Sequence, residues 1–506
     1  MFDLYLNFKA LQYLEIFLLL TIASVFFVYL SLKNKNHINL TPFILFNVLV
    51  FLTWGVLVGI DHDETAHLHC AWMISRGLVP FKDFWAHHSP LLWIILAPLF
   101  KILKPTASVF ILSRIFSAFL FTLIAFTGWQ ISRKVFREKA SASMYLLVFF
   151  SAGVLGEFIW LRPDLFMMFF LLFGVYLSLE IPRGRILPVF LSGIAFSLAV
   201  SFMPKQYLLP LLPIISIFLV KNRSRIAKLL AYIAGLIIGS LPLLFYLIKD
   251  NILGEFIFWV FKFNRERTEV SVLFPLGIAC IGGWGACLLL GRYRNLNDSK
   301  ALILFIAFCL SILSSLTGMS TPLSGYYLGF WYILCAIVSS GFNIMEISQK
   351  TSSLIKRSLV LGAFLSLLLA QNSIKAMTHR RTYFSNDMQE VSGLINYANG
   401  DTCLVILPLH PVFSYDATRL YSYWQYYLLD KFPAIRKDAG NIARVILASP
   451  PAVVMCRIYS KDFLLELFQK QMITAGEYGK LVSLFKDKYT IKLIAGKRYY
   501  VRNDRL

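Results

Sequence analysis

Residues 108–139 indicate the fold class most clearly, and they read SVFILSRIFSAFLFTLIAFTGWQISRKVFREK. Residues 108–132 are mainly apolar, and a mainly apolar stretch of roughly 17–25 residues is what a helix needs to cross the hydrocarbon core of a membrane. Four basic residues follow between 133 and 139. Positive charge gathered at the end of an apolar stretch is typical of a cytoplasmic loop. The sequence therefore predicts a spanning helix that ends in the cytoplasm.

The rest of the chain repeats this pattern. Of its 506 residues, 58% are hydrophobic and only 15% are charged, too few charges to cover the surface of a soluble protein. Lipid offers the backbone no hydrogen-bond partner, so a spanning segment is either a helix or part of a closed barrel. Continuous rather than alternating apolar runs favour helices. The net charge of +22 does not indicate a nucleic acid partner, because the basic residues cluster in short connections between apolar runs.

We predict an all-α polytopic membrane protein with about 12 transmembrane helices, judged from apolar length. The predicted spans are 10–32, 42–60, 108–132, 141–160, 165–181, 188–203, 207–220, 229–248, 272–290, 301–318, 325–342 and 358–372. They form a transmembrane domain over 1–375. With these spans the basic clusters at 33–35, 133–139, 183–185, 221–228, 292–294 and 350–357 fall on the cytoplasmic side, and the loop 61–107 falls on the extracytoplasmic side.

The segment 91–103 tests this topology. It is apolar, but at about 13 residues it is too short to cross comfortably. If it crossed, the basic residues at 133–139 and the later clusters would move outside. We therefore predict an interfacial or re-entrant helix at 91–103, so that 61–107 remains one extracytoplasmic loop.

The composition changes near residue 385, where charges become frequent and apolar runs shorten. The patterns predict a small extracytoplasmic α/β domain over 385–506. Its predicted helices are Asp387–Tyr397 and Lys461–Lys470, and its predicted strands are Cys403–Leu409, Val453–Cys456 and Tyr489–Val501. Two interpretations of Cys403 and Cys456 stay open, a disulfide in an oxidising compartment or two buried strand residues.

The loop that follows the second predicted span opens with Asp61-His62-Asp63-Glu64-Thr65-Ala66-His67-Leu68-His69. Three carboxylates and three imidazoles beside a bilayer are costly and tend to be functional. A positioned carboxylate can accept a proton from a nucleophile. The pattern is also compatible with a metal site or a merely solvated loop. The pair His87-His88 comes later in the same loop.

Two shorter motifs lie on the same predicted side. Arg162-Pro163-Asp164 is either a helix cap with an ion pair, or a second carboxylate beside a phosphate-binding cation. The single cation in Pro204-Lys205-Gln206-Tyr207 either extends to the interface or pairs with a phosphate.

A resemblance emerges from the order of these motifs. Asp63-Glu64, His88-Ser89-Pro90-Leu91, the basic loop at 133–136, Arg162-Pro163-Asp164 and Pro204-Lys205-Gln206 follow one another as in membrane glycosyltransferases of the C superfamily. The chain looks most like bacterial relatives of protein O-mannosyltransferases (the dolichyl-phosphate-mannose-protein mannosyltransferase family) and of lipid A aminoarabinose transferases. The resemblance covers about 45–340. Each motif is short, and their order and shared side make it specific.

The resemblance implies a polyprenyl-phosphate-linked sugar donor, inversion at the anomeric carbon, and a lipid, glycan or protein acceptor at the outer face of the bacterial inner membrane. Asp63 is then the candidate base, with Glu64 and Asp164 as further catalytic carboxylates. Donor-phosphate ligands are Lys205, Arg162, Arg265 and Arg267, and pocket residues are Asp61, His62, His67, His87, His88, Tyr207, Tyr326 and Tyr327. A divalent cation, Mg²⁺ or Mn²⁺, is compatible with the carboxylates, and no nucleic acid is expected.

The main alternative is a transporter or flippase of lipid or polysaccharide without transferase activity. Transporters usually place ionisable residues near the membrane midplane and show inverted repeats, and the sequence has neither pattern. A metal-dependent lipid hydrolase is disfavoured because HExxH and similar spacings are absent.

Overall fold

The computed structural model describes residues 60–84, 86–103, 108–136, 160–219, 224–264, 299–317, 384–399, 401–404, 415–416, 446–455, 465, 468–469 and 473–506. They belong to two compact units. The described residues of the first unit are 114–136, 160–219, 224–246 and 299–317. Those of the second unit are 60–84, 86–103, 108–113, 247–264 and the described residues from 384 onward.

Helices dominate the described residues. They are α1 (His62–Ser75), α2 (Leu91–Ile102), α3 (Ser108–Phe136), α4 (Pro163–Ser178), α5 (Ile186–Phe202), α6 (Leu211–Leu219), α7 (Arg225–Lys249), α8 (Leu253–Phe256), α9 (Ser299–Thr317), α10 (Phe384–Ala398) and α11 (Ala475–Lys488). Short 3-10 turns cover Ile181–Arg183, Pro204–Gln206 and Asn503–Arg505, and a π-helical segment, Ile257–Phe263, follows α8.

Three of the described helices are long and apolar enough to cross a membrane, which identifies the chain as a membrane protein. They are Ser108–Val135, Pro163–Arg183 and Arg225–Lys249, at the predicted spans 108–132, 165–181 and 229–248. α9 overlaps the predicted span 301–318. The predicted spans 10–32, 42–60, 141–160, 272–290, 325–342 and 358–372 lie outside the described residues, apart from the end residues 60 and 160.

A sharp bend separates α5 from α6. Pro204 has no backbone N–H and cannot continue α5. The chain therefore turns at Pro204–Gln206, and its axis bends by 115° between Ile186–Phe202 and Pro204–Leu219. Together the two helices are long and apolar enough to form one broken span or a re-entrant element. The sequence predicted two separate spans here, 188–203 and 207–220.

α5 and α7 pack with almost no space between their backbones. A methyl group added at Gly193 would overlap the carbonyl oxygen of Tyr232, and one added at Gly235 would overlap that of Phe190. At Gly239 the added carbon would lie 2.7 Å from the carbonyl oxygen of Ile194. Small residues let transmembrane helices approach each other in this way.

Gly235→Ala is therefore expected to destabilise the first unit. Because the obstructing atom belongs to the backbone of α5, the helices must separate, and overpacking of this kind costs about 1–3 kcal/mol. The measurement is the midpoint of thermal unfolding of the purified protein in detergent. Gly254→Ala is the matched control, since an added methyl group there meets nothing within 4 Å. Equal midpoints for the two variants would contradict the packing assignment.

Cations from three of the predicted cytoplasmic clusters meet at one end of the first unit. Lys134 lies 2.5 Å and Arg183 lies 2.8 Å from the carboxylate of Glu180. Lys228 donates to the backbone carbonyl of Ile181 at 3.0 Å. These contacts lie just beyond the carboxyl end of α4, whereas Arg162 and Asp164 lie at its amino end. The basic clusters and the Arg-Pro-Asp motif are thus separated by the length of one spanning helix.

In the second unit, α1 and α2 pack against each other through buried side chains that include Leu68, Trp72, Trp93 and Leu96. α2 has 12 residues, about 18 Å at 1.5 Å per residue. It is thus a helix at the predicted segment 91–103, and it is too short to cross the hydrocarbon core.

The C-terminal residues of the second unit include a five-stranded sheet in the order β2-β1-β3-β5-β4. The strands are β1 (Thr402–Leu404), β2 (Tyr415–Asp416), β3 (Val453–Met455), β4 (Tyr489–Ile494) and β5 (Lys497–Arg502). β1 pairs in parallel with β2 and β3, and β5 pairs antiparallel to β3 and β4.

The predicted strand segment 489–501 is a hairpin. Ala495 and Gly496, with φ of 46° and 80°, form its two-residue turn, because positive φ at both positions matches the twist of the paired strands. α10 agrees with the predicted helix 387–397. The predicted helix 461–470 falls almost entirely outside the described residues, as do Cys456 and residues 405–409.

Candidate active site

The acidic motif forms the first turn of α1. Asp61 is the N-cap residue, with extended backbone angles, and its Oδ1 accepts from the backbone N–H of Asp63 at 2.9 Å. The carbonyl of Asp61 accepts the first helical bond, from the N–H of Thr65 at 3.0 Å. Capping is the usual role of an Asp at this position. Asp61 is 1% exposed, and its buried carboxylate caps the helix.

The other two carboxylates of the motif differ in accessibility. Glu64 is 0% exposed, and its Oε1 accepts from the hydroxyl of Ser113 at 3.0 Å. Asp63, at the second position of the helix, remains partly exposed. Of the three acidic side chains, Asp63 is the one that is not buried.

Three imidazoles and an indole gather beside α1. The indole N–H of Trp93 donates to Nδ1 of His67 at 2.9 Å. An indole nitrogen can only donate, so Nδ1 of His67 carries no proton and Nε2 carries one. The ring of His88 lies 5.1 Å from that of His67 and 4.1 Å from that of His87, between centroids.

The π-helical segment fixes the far side of this imidazole group. Asn264, directly after the segment, donates to the backbone carbonyl of His87 at 2.7 Å. The ring of Phe263 lies 6.2 Å from that of His87. Segments of π-helix are frequently found at functional sites, and here the segment holds His87 in place.

The loop between α1 and His87 is tightly folded. Gly77 ends α1 at a φ of 86°, which glycine adopts without steric cost. The carboxylate of Asp83 accepts from the N–H of Val79 at 2.8 Å, and Phe81 donates its N–H to the carbonyl of Phe84 at 2.9 Å. Phe81 adopts a φ of 67°, an uncommon value for a bulky residue.

A second set of charged residues lies in the first unit. Nζ of Lys205, on the turn between α5 and α6, lies 3.3 Å from Oδ1 of Asp164 in the first turn of α4. Arg162, the N-cap residue of α4, lies 5.9 Å from the Trp160 ring. All three charged residues are less than 10% exposed. A serine on α9, Ser314, accepts from the N–H of Leu208 at 3.0 Å and holds the turn.

The structure thus brings Asp61, Asp63, Glu64, His67, His87 and His88 together in the second unit. It brings Asp164 and Lys205 together in the first unit, where Tyr207 ends the same turn. His62 is the first residue of α1. Arg265, Arg267, Tyr326 and Tyr327 lie outside the described residues. The catalytic and binding roles of all these residues stay predictions.

Sequence reasoning missed Ser113, Trp93 and Asn264. Ser113 and its neighbour Arg114, which is 3% exposed, carried a signal, because polar residues in a spanning stretch are rare. Trp93 and Asn264 carried none, since each is an isolated residue whose partner is distant in sequence.

Carboxylates and imidazoles at the start of α1 raise the question of a metal ion. Within the part of the chain that the structure describes, no group of three or more His, Cys, Asp or Glu side chains has an arrangement that could hold one.

No protein-family model matches the chain, and no curated protein matches it. Among solved structures, it is similar to the archaeal oligosaccharyltransferase AglB from Archaeoglobus fulgidus, in complex with an inhibitory peptide and a dolichol-phosphate. The TM-score is 0.41 at 10% identity, and the match covers 78% of this chain and 58% of that one. At this level the likeness is coarse.

Proposed function

We propose that the chain is an inverting glycosyltransferase of the membrane. It moves a hexose or pentose from a polyprenyl-phosphate carrier to a lipid, glycan or protein acceptor. The proposal is carried by the different environments of the three carboxylates in the acidic motif. Asp61 caps α1, Glu64 is buried against Ser113, and Asp63 stays partly exposed. The resemblance of the motif order to C-superfamily glycosyltransferases supplies the reaction class.

In the proposed reaction Asp63 is the general base. It accepts the proton of the acceptor hydroxyl or amine while that oxygen or nitrogen attacks the anomeric carbon of the sugar. The bond between this carbon and the phosphate oxygen breaks, and the electron pair leaves with the polyprenyl phosphate. Attack from the face opposite the phosphate inverts the anomeric centre, as in other single displacements at a sugar.

Cations fixed in advance stabilise the leaving phosphate in this proposal. Lys205 and Arg162 are buried, so their charges interact more strongly than they would in water. Asp164 lies 3.3 Å from Lys205 and orients its ammonium group. Preorganised charge of this kind is usually the largest single contribution to the rate. Arg265 and Arg267 are proposed to assist at the same phosphate.

The imidazole group is proposed to bind the sugar or the acceptor. A neutral His67 that donates from Nε2 suits a sugar hydroxyl, and His87 and His88 lie next to it. Tyr207, Tyr326 and Tyr327, together with Asp61 and His62, are further proposed contacts of the donor or the acceptor. A site built from buried hydrogen-bonding groups discriminates strongly among polar substrates.

We place the reaction at the outer face of a bacterial inner membrane. The transmembrane domain, 1–375, then carries the loop 61–107 on that face, and the α/β domain, 385–506, lies on the same side. The Arg-Pro-Asp motif and the basic neighbours of Glu180 lie at opposite ends of α4, which supports one catalytic end and one basic, cytoplasmic end.

The test is incubation of the purified protein in vesicles with a panel of polyprenyl-phosphate sugars, followed by mass analysis of the lipid. Release of polyprenyl phosphate from at least one donor, dependent on an acceptor, is the expected result. Translocation of intact donor across the vesicle membrane, with no release from any donor, would favour a flippase and contradict the proposal.

A further inference from the structure

The C-terminal residues of the second unit touch the acidic motif at one point. Oδ2 of Asp387, on α10, accepts from the backbone N–H of Ile60 at 2.8 Å. Ile60 immediately precedes Asp61, the N-cap residue of α1. The two partners are 327 positions apart in the sequence. The bond therefore joins the α/β region to the main chain from which the carboxylates of α1 start.

This bond is buried. Asp387 is 4% exposed and Ile60 is 8% exposed. A buried bond of this kind restrains the main chain three residues before Asp63.

The position of α10 is itself fixed by the hairpin of β4 and β5. Glu390, one turn after Asp387, accepts from Nζ of Lys497 at 2.7 Å and from the hydroxyl of Tyr499. A carbon added at Gly393 would lie 2.6 Å from Cγ2 of Ile494, so α10 lies directly on the hairpin. The helix can neither rotate nor slide without breaking these contacts.

Two buried carboxylates one helical turn apart are unfavourable for stability. Burial raises the pKa of Glu390 although Lys497 and Tyr499 lower it, and the charge of Asp387 raises it further. An uncharged acceptor at position 387 would avoid this repulsion and still bind the N–H of Ile60.

We propose that Asp387 is a positioning residue for Asp63: it holds the main chain at Ile60 and so sets the direction in which α1 presents its accessible carboxylate. The inference rests on the proposed glycosyl transfer. It gives the C-terminal domain a defined part in the reaction, since the hairpin fixes α10 and α10 fixes the start of α1. A misplacement of about 1 Å at a reacting group can lower a rate about 100-fold.

The test compares Asp387→Asn with Asp387→Glu in the full-length protein, with kcat and KM for the donor measured separately. Asn loses the charge but keeps an acceptor oxygen at the same distance from the backbone, so kcat is expected to stay within about 3-fold of wild type. Glu keeps the charge but carries its oxygens one carbon further, so kcat is expected to fall by about 10- to 100-fold with an unchanged KM.

Hydrogen exchange of residues 60–66 is measured on the same variants, because it reports the contact without any activity. Faster exchange there is expected in Asp387→Glu and not in Asp387→Asn. The control is Asp401→Ala, which removes a carboxylate of the same domain that binds Arg502 and Arg505. This control reports general destabilisation of the domain.

Loss of kcat in Asp387→Asn, or unchanged kcat in Asp387→Glu, overturns the positioning role. Unchanged exchange at 60–66 in Asp387→Glu also overturns it, whatever the activity. If the wild-type protein releases no polyprenyl phosphate, the proposed function is refuted. If the wild-type protein is active and substitutions of Asp387 do not change its kcat, only the positioning role is refuted.

Discussion

Asp63→Asn is expected to abolish sugar transfer while expression, folding and donor binding remain close to wild type. The amide has the shape of the carboxylate, but it cannot accept a proton at neutral pH. General-base catalysis contributes about 100- to 10,000-fold, so the loss is large rather than partial. The measurement is the rate of polyprenyl phosphate release, with donor binding determined separately on the same preparation.

The neighbouring carboxylates provide matched controls for Asp63→Asn. Glu64→Gln keeps an oxygen that accepts from Ser113, and Asp61→Asn keeps an oxygen that caps the N–H of Asp63. Both are expected to retain most of the activity. Near-normal turnover in Asp63→Asn together with an inactive Asp61→Asn would move the base to Asp61 and contradict the assignment.

Lys205→Met is expected to lower the transfer rate by about 100- to 1,000-fold, the loss typical of removing one group that stabilises a developing negative charge. It also leaves Asp164 buried without the ammonium group 3.3 Å away. Breaking a buried pair from one side costs about 3–5 kcal/mol of stability. The double variant Lys205→Met with Asp164→Asn separates the two effects. It is expected to regain stability and to remain inactive.

A matched ion pair lies at the other end of α4. Lys134 pairs with Glu180 at 2.5 Å, and Lys134→Met is expected to lower stability without lowering turnover per folded molecule. Recovery of activity in the double variant Lys205→Met with Asp164→Asn would show that Lys205 serves only to neutralise Asp164. An equal loss of turnover in Lys134→Met would show a general folding effect. Either result contradicts a role for Lys205 at the phosphate.

The spanning helices were predictable because their signal is local. Apolar length and a basic end set the limits of α4 and α7 without knowledge of any partner. The bend of 115° between α5 and α6 was not predictable, since Pro204 dictates a break but packing dictates its angle. α11 was missed although its start carries a signal, Thr474 and Glu477 in a reciprocal capping box.

The candidate site was predictable in composition and not in arrangement. Asp61, Asp63 and Glu64 look equivalent in the sequence, and only the cap and the bond to Ser113 separate their roles. Trp93 fixes the tautomer of His67 across 26 positions, and Asp387 reaches Ile60 across 327. Such pairs depend on tertiary packing, which the periodicity of one segment does not encode.

The stereochemistry of the product is the most direct test of the proposed mechanism, in which the acceptor, deprotonated by a carboxylate, displaces the phosphate from the sugar in one step. A donor of known anomeric configuration is converted by the purified protein, and the configuration of the product is read by nuclear magnetic resonance. The product is expected to have the anomeric configuration opposite to that of the donor, because a single displacement inverts the anomeric carbon. Retention of the donor's configuration would require two displacements with a glycosyl intermediate and would contradict an inverting transfer with Asp63 as the base.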